Sequence, residues 1–156
     1  MPFESSCYAM FATCCGLAIV MATILPAMSS PETDPLARFR WKNRLVLYLA
    51  PDAGEADAAR ASIAGRADEC IDRDILFLDL EQNDVDKGPL YGELTPAQRM
   101  LLREQYDLST TNTIFILVGK DGGEKARQTG RLDLQAFFDL IDTMPMRLRE
   151  MEHKNK

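Results

Sequence analysis

Histidine, a common acid-base and metal-binding side chain, is almost missing from this sequence of 156 residues. Its one histidine, His153, lies near the C-terminus. A Ser-His-Asp triad needs a histidine as its base and a histidine-rich metal site needs several, so neither can be built here. No phosphate-loop motif is present either, and we therefore expect no metal and no cofactor.

Cysteine is scarce outside the N-terminal segment. Cys7, Cys14 and Cys15 lie within the first 29 residues, and the fourth cysteine is Cys70. If the N-terminal segment is removed, the remaining chain cannot form an internal disulfide, even in an oxidising compartment. Cys70 then has three interpretations: a small buried hydrophobic residue, a partner in an intermolecular disulfide, or a redox nucleophile.

An excess of positive charge is also absent, since the net charge is −6. Nucleic-acid binding depends on clustered lysine and arginine, so we expect no nucleic-acid partner. The same charge argues against docking on an anionic membrane surface. The acidic cluster between Asp79 and Glu93 lacks the glycine and glutamate positions of a calcium loop, and we interpret it as a solvated loop.

Charged residues are missing from Ser5 to Pro31, a segment with a continuous apolar stretch at its centre. Ala27 and Ser29 follow this stretch at the spacing of a cleavage site. Residues 1–29 are therefore predicted to be a signal peptide, and the protein to be exported, either periplasmic or secreted. The segment lacks the usual basic start and is long enough to span a bilayer, so a retained membrane anchor is the alternative.

The rest of the chain is predicted to form one domain. Residues 30–38 are interpreted as a linker, residues 39–147 as the domain, and residues 148–156 as a charged tail. A domain of this size can bury roughly two thirds of its unfolded surface, so it needs no disulfide or metal for stability.

Two apolar runs, Leu45–Ala50 and Ile75–Leu80, predict strands in the interior of a sheet. Between them Asp52 is placed to cap a helix, and Gly65 is a point where that helix can break. A strand, a helix and a strand in this order predict a right-handed βαβ unit with parallel strands. The apolar face of the helix is formed at three- and four-residue steps by Ala56, Ala59, Ile63, Ala67 and Cys70.

A second group of elements surrounds the sequence Lys120-Asp121-Gly122-Gly123. Ile114–Val118 predicts a third buried strand, and the glycines predict a tight turn into a fourth strand, Glu124–Thr129. Thr95 caps a helix before this hairpin, and Asp133 caps another after it. The order β-α-β-α-β-β-α predicts an α/β, thioredoxin-like fold: a four-stranded mixed sheet with helices on both faces.

Three motifs carry a resemblance to a known family: Phe39–Arg44, Leu117–Lys125 and Ile141–Arg147. Together they resemble the bacterial family called domain of unknown function 4174, over roughly Leu36 to Met151. That family is similar to domains of sushi-repeat-containing and related vertebrate extracellular matrix proteins. The resemblance implies a thioredoxin-like fold and export, and it implies no activity.

The residues that thioredoxin chemistry requires are missing from their expected positions. A thiol oxidoreductase needs a cysteine where the first helix begins, and Pro51-Asp52-Ala53-Gly54 stands there. The segment Ser109–Thr113 also lacks the proline that thioredoxins place before the third strand. We therefore interpret the protein as a non-enzymatic binding module of the cell envelope or periplasm. The alternative is a thioredoxin-like or peroxiredoxin-like oxidoreductase that acts through Cys70.

Most charged residues near the three motifs are interpreted as surface ion pairs. If the protein has a site for a ligand or for an envelope or extracellular protein, we expect it among these residues. Met144-Pro145-Met146 is either a ridge on which a partner docks or a helix end packed against the sheet. The candidate contacts are Trp41, Arg44, Lys120, Asp121, Lys125, Asp142 and Arg147.

Overall fold

The structure is a computed structural model that describes residues 34–81, 88–108 and 111–154. The predicted signal peptide, residues 1–29, and residues 30–33 of the predicted linker lie outside the described residues. Within the described ranges, no helix has the length and apolar character needed to cross a membrane.

Four strands form one mixed sheet. They are β1 (Arg44–Leu49), β2 (Ile75–Asp79), β3 (Ile114–Val118) and β4 (Glu124–Thr129), in the spatial order β2-β1-β3-β4. β1 and β2 are parallel, and β3 is antiparallel to both β1 and β4. Every residue of β1 is buried, as the continuous apolar run predicts for a central strand.

Three helices cover one face of the sheet: α1 (Ala53–Gly65), α2 (Ala67–Asp72) and α4 (Leu134–Asp142). The helix predicted after β1 breaks at Arg66, where φ is −127° and ψ is 30°, directly after Gly65. Cys70 therefore belongs to a separate short helix, although it still faces the core. The core on this face includes Val46, Ala59, Ile63, Phe77, Phe137 and Phe138.

The opposite face is covered by α3 (Pro96–Gln105) and by a short 3-10 turn, Ala37–Phe39. Leu102 of α3 packs with Phe39 and with Leu47 of β1 in a second core. The prediction of helices on both faces is thus confirmed. Thr95 forms the predicted capping box with Gln98, in which side chain and backbone bond reciprocally.

The packed region is longer than the predicted domain at both ends. Leu36, placed in the linker by the sequence, is only 2% exposed and lies in the second core. The predicted charged tail is helical, because α5 (Pro145–Lys154) continues through it. Pro145 does not simply end α4. It starts a new helix, where a missing N–H costs nothing.

Candidate binding site at the hairpin edge of the sheet

Among the described residues, none places a thiol at the edge of the sheet where thioredoxin-like enzymes keep their redox site. β1 ends there, and the Asp52 carboxylate accepts a hydrogen bond from the backbone N–H of Glu55 at 3.0 Å, capping α1. Because β3 is antiparallel to β1, Thr113 reaches the same edge, and its hydroxyl contacts the Glu55 carboxylate. The position of the redox cysteine is thus taken by a capped helix start.

A groove with a volume of about 390 Å³ lies beside the start of α1. Its lining combines apolar side chains, including Phe115 and Leu132, with charged ones, including Glu55 and Arg131. The groove has the size of a ligand site, and none of its lining residues carries a sulfur atom.

Cys70 is the one free cysteine in the described part of the chain. It lies on the core-facing side of α2 and is fully buried, and this burial raises the pKa of its thiol to about 11. The thiolate is the nucleophilic form, so a thiol with a raised pKa and no exposure reacts slowly. The geometry fits a small buried hydrophobic residue.

A buried polar pair, Tyr48 and Asp79, joins the ends of β1 and β2. Asp79 was predicted to lie in a solvated acidic loop, which is wrong for this residue, because it ends β2 and is only 6% exposed. The hydroxyl of Tyr48 donates a hydrogen bond of 2.9 Å to the Asp79 carboxylate, and Nη1 of Arg60 lies 4.0 Å from the same carboxylate. Burial, followed by the charge of Asp79, raises the pKa of Tyr48. Tyr48 therefore stays a protonated donor, and the pair ties two strands together.

The candidate residues chosen from the sequence gather at the opposite edge. We call this the hairpin edge, defined by the starts of β1 and β2 and by the β3–β4 turn. Six of the seven candidates bond to each other or to shared partners at this edge, and the seventh, Trp41, donates its backbone N–H to the carbonyl of Lys120 at 2.8 Å.

Glu150 of α5 holds two buried cations at the hairpin edge. Its carboxylate accepts hydrogen bonds from Arg44 at 3.1 and 3.3 Å and from Lys120 at 2.7 Å. Lys120 also donates to Asp74 at 2.8 Å. Arg44, Lys120 and Arg147 are only 1%, 8% and 3% exposed, so the interpretation of most charged residues near the motifs as surface ion pairs is wrong for these three. Arg44 and Lys120 dock α5 against the sheet.

Arg147, also buried, forms the second ion-pair group. Its Nε donates to Asp142 at 3.0 Å, its Nη1 donates to the carbonyl of Asp72 at 2.7 Å, and its Nη2 contacts the Asp72 carboxylate. Hydrogen bonds from Lys154, then from Arg147, lower the pKa of Asp72 to about 2. Arg73 completes the group with a 2.5 Å bond to Asp142. Sequence reasoning found Arg147 and Asp142 but missed Asp72 and Arg73.

The β3–β4 turn displays the remaining candidates. Lys125 donates to Asp121 at 2.6 Å across the turn, which confirms an exposed ion pair at that position. Gly122 has φ +86°, a conformation that favours glycine, and an added Cβ would also displace the flexible Arg40 side chain, whose Nε would lie 2.7 Å away. Beside the turn, Trp41 is 67% exposed with φ +64°, a rare conformation for a bulky residue.

A small cavity of about 110 Å³ lies between this turn and the start of α5. Four of the seven candidates line it, together with Gly119 and the Met144-Pro145-Met146 segment. Within the described ranges, no group of three or more histidine, cysteine, aspartate or glutamate side chains is placed to hold a metal ion. The four candidates are Arg44, Lys120, Asp121 and Lys125.

The fold is thioredoxin-like, as comparison with solved structures shows. The chain is similar to the reduced 2-Cys peroxiredoxin of Plasmodium vivax, with a TM-score of 0.54 at 13% sequence identity, over 73% of this chain and 84% of that one. It is similar to thioredoxin peroxidase I of Plasmodium yoelii, with a TM-score of 0.54 at 15% identity, over 73% and 79% of the two chains. At such identity the likeness concerns the fold alone.

Among proteins with a thioredoxin-like fold, the family of this chain is identified by its sequence. The sequence pattern of the domain of unknown function DUF4174 matches residues 35–150. The chain belongs to this family, as its three motifs predicted. The match starts before residue 39 and ends beyond residue 147, in agreement with the packing of Leu36 and α5.

Proposed function

We propose that the protein is an exported, non-enzymatic module that binds an envelope or extracellular protein. The thioredoxin-like fold is kept, while the start of α1 carries a capping aspartate in place of a thiol. Cys70 offers no substitute, because it is buried and its pKa is raised to about 11. A scaffold with this shape, and with no reactive sulfur among its described residues, supports binding better than thiol chemistry.

The exposed Trp41 carries the proposal. Its left-handed backbone costs roughly 1–3 kcal/mol and is held by the hydrogen bond to the carbonyl of Lys120. Strain of this kind tends to persist at functional positions, and tryptophan is the side chain most enriched at the energetic centres of protein interfaces. Arg40 and the Asp121–Lys125 pair provide polar groups beside it. The partner is therefore expected to cover Trp41.

Replacing Trp41 with alanine tests the binding surface. Because central interface residues contribute 2 kcal/mol or more, we expect Trp41→Ala to weaken partner capture by roughly 30-fold or more. The measurement is affinity capture from the envelope and external fractions of the host, followed by titration of the captured protein with each variant. Met100→Ala is the matched control, since Met100 is 72% exposed on α3.

Three outcomes would contradict the proposal. A partner that binds wild type and Trp41→Ala equally would place the binding surface elsewhere. Equal losses in Trp41→Ala and Met100→Ala would indicate a nonspecific effect. The third is an intact mass that keeps residues 1–29 in protein recovered only from the cytoplasm, which would contradict export.

A further inference from the structure

The groove beside the start of α1 is bordered by a helix face with small side chains. At three- and four-residue steps along α1, and therefore on one of its faces, it is lined by Glu55, Ala58, Ala59 and Ser62. The alanines and the serine leave space that larger residues would fill, and Leu132 adds apolar surface from the segment after β4. The volume of about 390 Å³ lies in the range of small-molecule sites.

Charged side chains of both signs line this groove without pairing with each other. Asp52 uses one carboxylate oxygen to cap α1, and Glu55 uses one for Thr113, so each keeps a second oxygen without a hydrogen bond in the described part of the chain. Arg131 lines the same groove and makes no hydrogen bond or ion pair with any described residue. The groove thus offers acceptors and a guanidinium to a ligand that carries both charges.

The length of the groove indicates the size of the ligand. Ser62, Arg131 and Leu132 also line a second groove, of about 420 Å³, so Arg131 lies where the two grooves meet. Along the axis of α1, Ser62 is roughly 10 Å from Glu55, because an α-helix rises about 1.5 Å per residue. An extended chain advances about 3.3–3.6 Å per residue, so a peptide of about three residues spans this distance.

We propose that this groove binds a free peptide of about three residues with apolar side chains. Asp52 and Glu55 hold its ammonium group, Arg131 holds its carboxylate, and the apolar lining receives a side chain. The dipole of α1 opposes a cation at this end of the helix, but it is equivalent to about half a charge, against two carboxylates. The site goes beyond the proposed function, because it lies at the edge opposite Trp41 and needs no protein partner. Failure of one proposal therefore leaves the other standing.

Isothermal titration calorimetry of the purified protein with the tripeptide Ala-Leu-Ala tests the site directly. We expect saturable binding of a single peptide per chain. The N-acetylated and the C-amidated tripeptides each lack one terminal charge, and both are expected to bind at least tenfold more weakly. Free L-leucine carries both charges but is too short to reach from Glu55 to Arg131, so we expect the same loss for it.

A variant that fills the groove links the binding to this place in the fold. Ala58 is exposed and lines the groove, so Ala58→Leu occupies its space without disturbing the core. We expect this variant to bind Ala-Leu-Ala at least tenfold more weakly than wild type. Ala61→Leu is the matched control, since Ala61 is exposed on the same helix but does not line the groove, and we expect its binding to be unchanged.

Two charge variants assign the ends of the peptide. Arg131→Gln is expected to weaken binding of Ala-Leu-Ala at least tenfold and to leave binding of the C-amidated form unchanged, because that form has no carboxylate to lose. Glu55→Gln keeps an oxygen that accepts the Thr113 hydroxyl, and it is expected to weaken binding of the free tripeptide but not of the N-acetylated form. Arg149→Gln, which removes an exposed cation from α5, is the control and is expected to change neither.

Each other result would overturn the assignment. Without saturable binding of Ala-Leu-Ala, the groove holds water only. Equal binding of the free and the capped tripeptides would show that the termini are not recognised, and would replace the free peptide with an internal segment of a protein. Binding that survives Ala58→Leu would place the site outside the groove. Equal losses for the free and the amidated tripeptides in Arg131→Gln would show that this guanidinium does not hold the carboxylate.

Discussion

Glu150→Ala is expected to lower the free energy of unfolding by about 3–5 kcal/mol, the cost of leaving buried charges without their partner. Glu150 is the only carboxylate that Arg44 bonds to among the described residues, and it is one of two that hold Lys120. Both cations are buried while the Glu150 side chain is 22% exposed, so water that enters the emptied site restores only part of the lost interaction. Urea denaturation of the purified protein measures the change.

The matched control is Glu152→Ala, on the same helix but exposed, for which we expect a change within about 0.5 kcal/mol. Similar losses in the two variants, or a loss below about 1 kcal/mol in Glu150→Ala, would contradict the structural role of this ion pair.

The same two variants test how the stability contributed by Glu150 depends on pH. Partial burial raises the pKa of Glu150, but hydrogen bonds from Lys120 and Arg44 outweigh it and lower the pKa overall. A carboxylate with a lowered folded-state pKa stabilises the fold above its unfolded pKa of about 4 and loses this contribution as the pH falls through the folded pKa. Wild type and Glu152→Ala should therefore lose more stability than Glu150→Ala between pH 5 and the folded pKa.

Phe138→Ala is expected to lower the free energy of unfolding by about 3–5 kcal/mol, because it empties a fully buried site in the core. Its ring also contacts two guanidinium groups: the Cζ atoms of Arg66 and Arg73 are each 4.5 Å from the ring centroid. Such cation–π contacts contribute roughly 0.5–2 kcal/mol each, depending on exposure. The substitution thus removes a core side chain and a contact of Arg73, which also holds Asp142.

Leucine variants separate the two contributions. Phe138→Leu keeps most of the buried volume and loses both cation–π contacts, while Phe137→Leu is a similar change at the neighbouring buried phenylalanine. We expect Phe138→Leu to cost about 1 kcal/mol more than Phe137→Leu in thermal and urea denaturation. Equal costs would show that the two guanidinium groups add nothing to the packing of the ring.

Much of the fold could be predicted from the sequence because its signals are local. The apolar runs of β1 and β3 and the glycines after β3 each indicate one structure within a few residues. The same holds for helix starts, where Asp52, Thr95 and Asp133 cap the helices that follow them. Pro145 was ambiguous, since a proline is compatible with both the end of one helix and the start of the next.

The ion pairs of the candidate site could be predicted only in part. The motifs led to Arg44, Lys120 and Arg147, but a charge pattern does not state which carboxylates a cation meets or how deeply it is buried. The bond between Arg44 and Glu150 joins residues 106 positions apart, across the contact between α5 and the sheet. Because the C-terminal segment was predicted to be a tail, its Glu150 was not considered as a partner.

The left-handed backbone conformation of Trp41 could not be predicted from the sequence. A left-handed φ is expected for glycine or asparagine, and nothing in the neighbouring residues predicts it for tryptophan. The long-range hydrogen bond to the carbonyl of Lys120 in the β3–β4 turn holds this conformation. The burial of Cys70 was easier to predict, because its helical spacing from Ala56 and Ala59 placed it on the apolar face. This held even though a break at Arg66 puts Cys70 in a separate helix.

The proposed absence of thiol chemistry in this thioredoxin-like protein is tested directly by an activity measurement. Peroxide consumption and reduction of insulin disulfides are measured with dithiothreitol as reductant, for wild type and for Cys70→Ser. We predict that both proteins match the rate without protein, because Cys70 is buried with its pKa raised to about 11. Turnover above that rate in wild type that disappears in Cys70→Ser would contradict the claim.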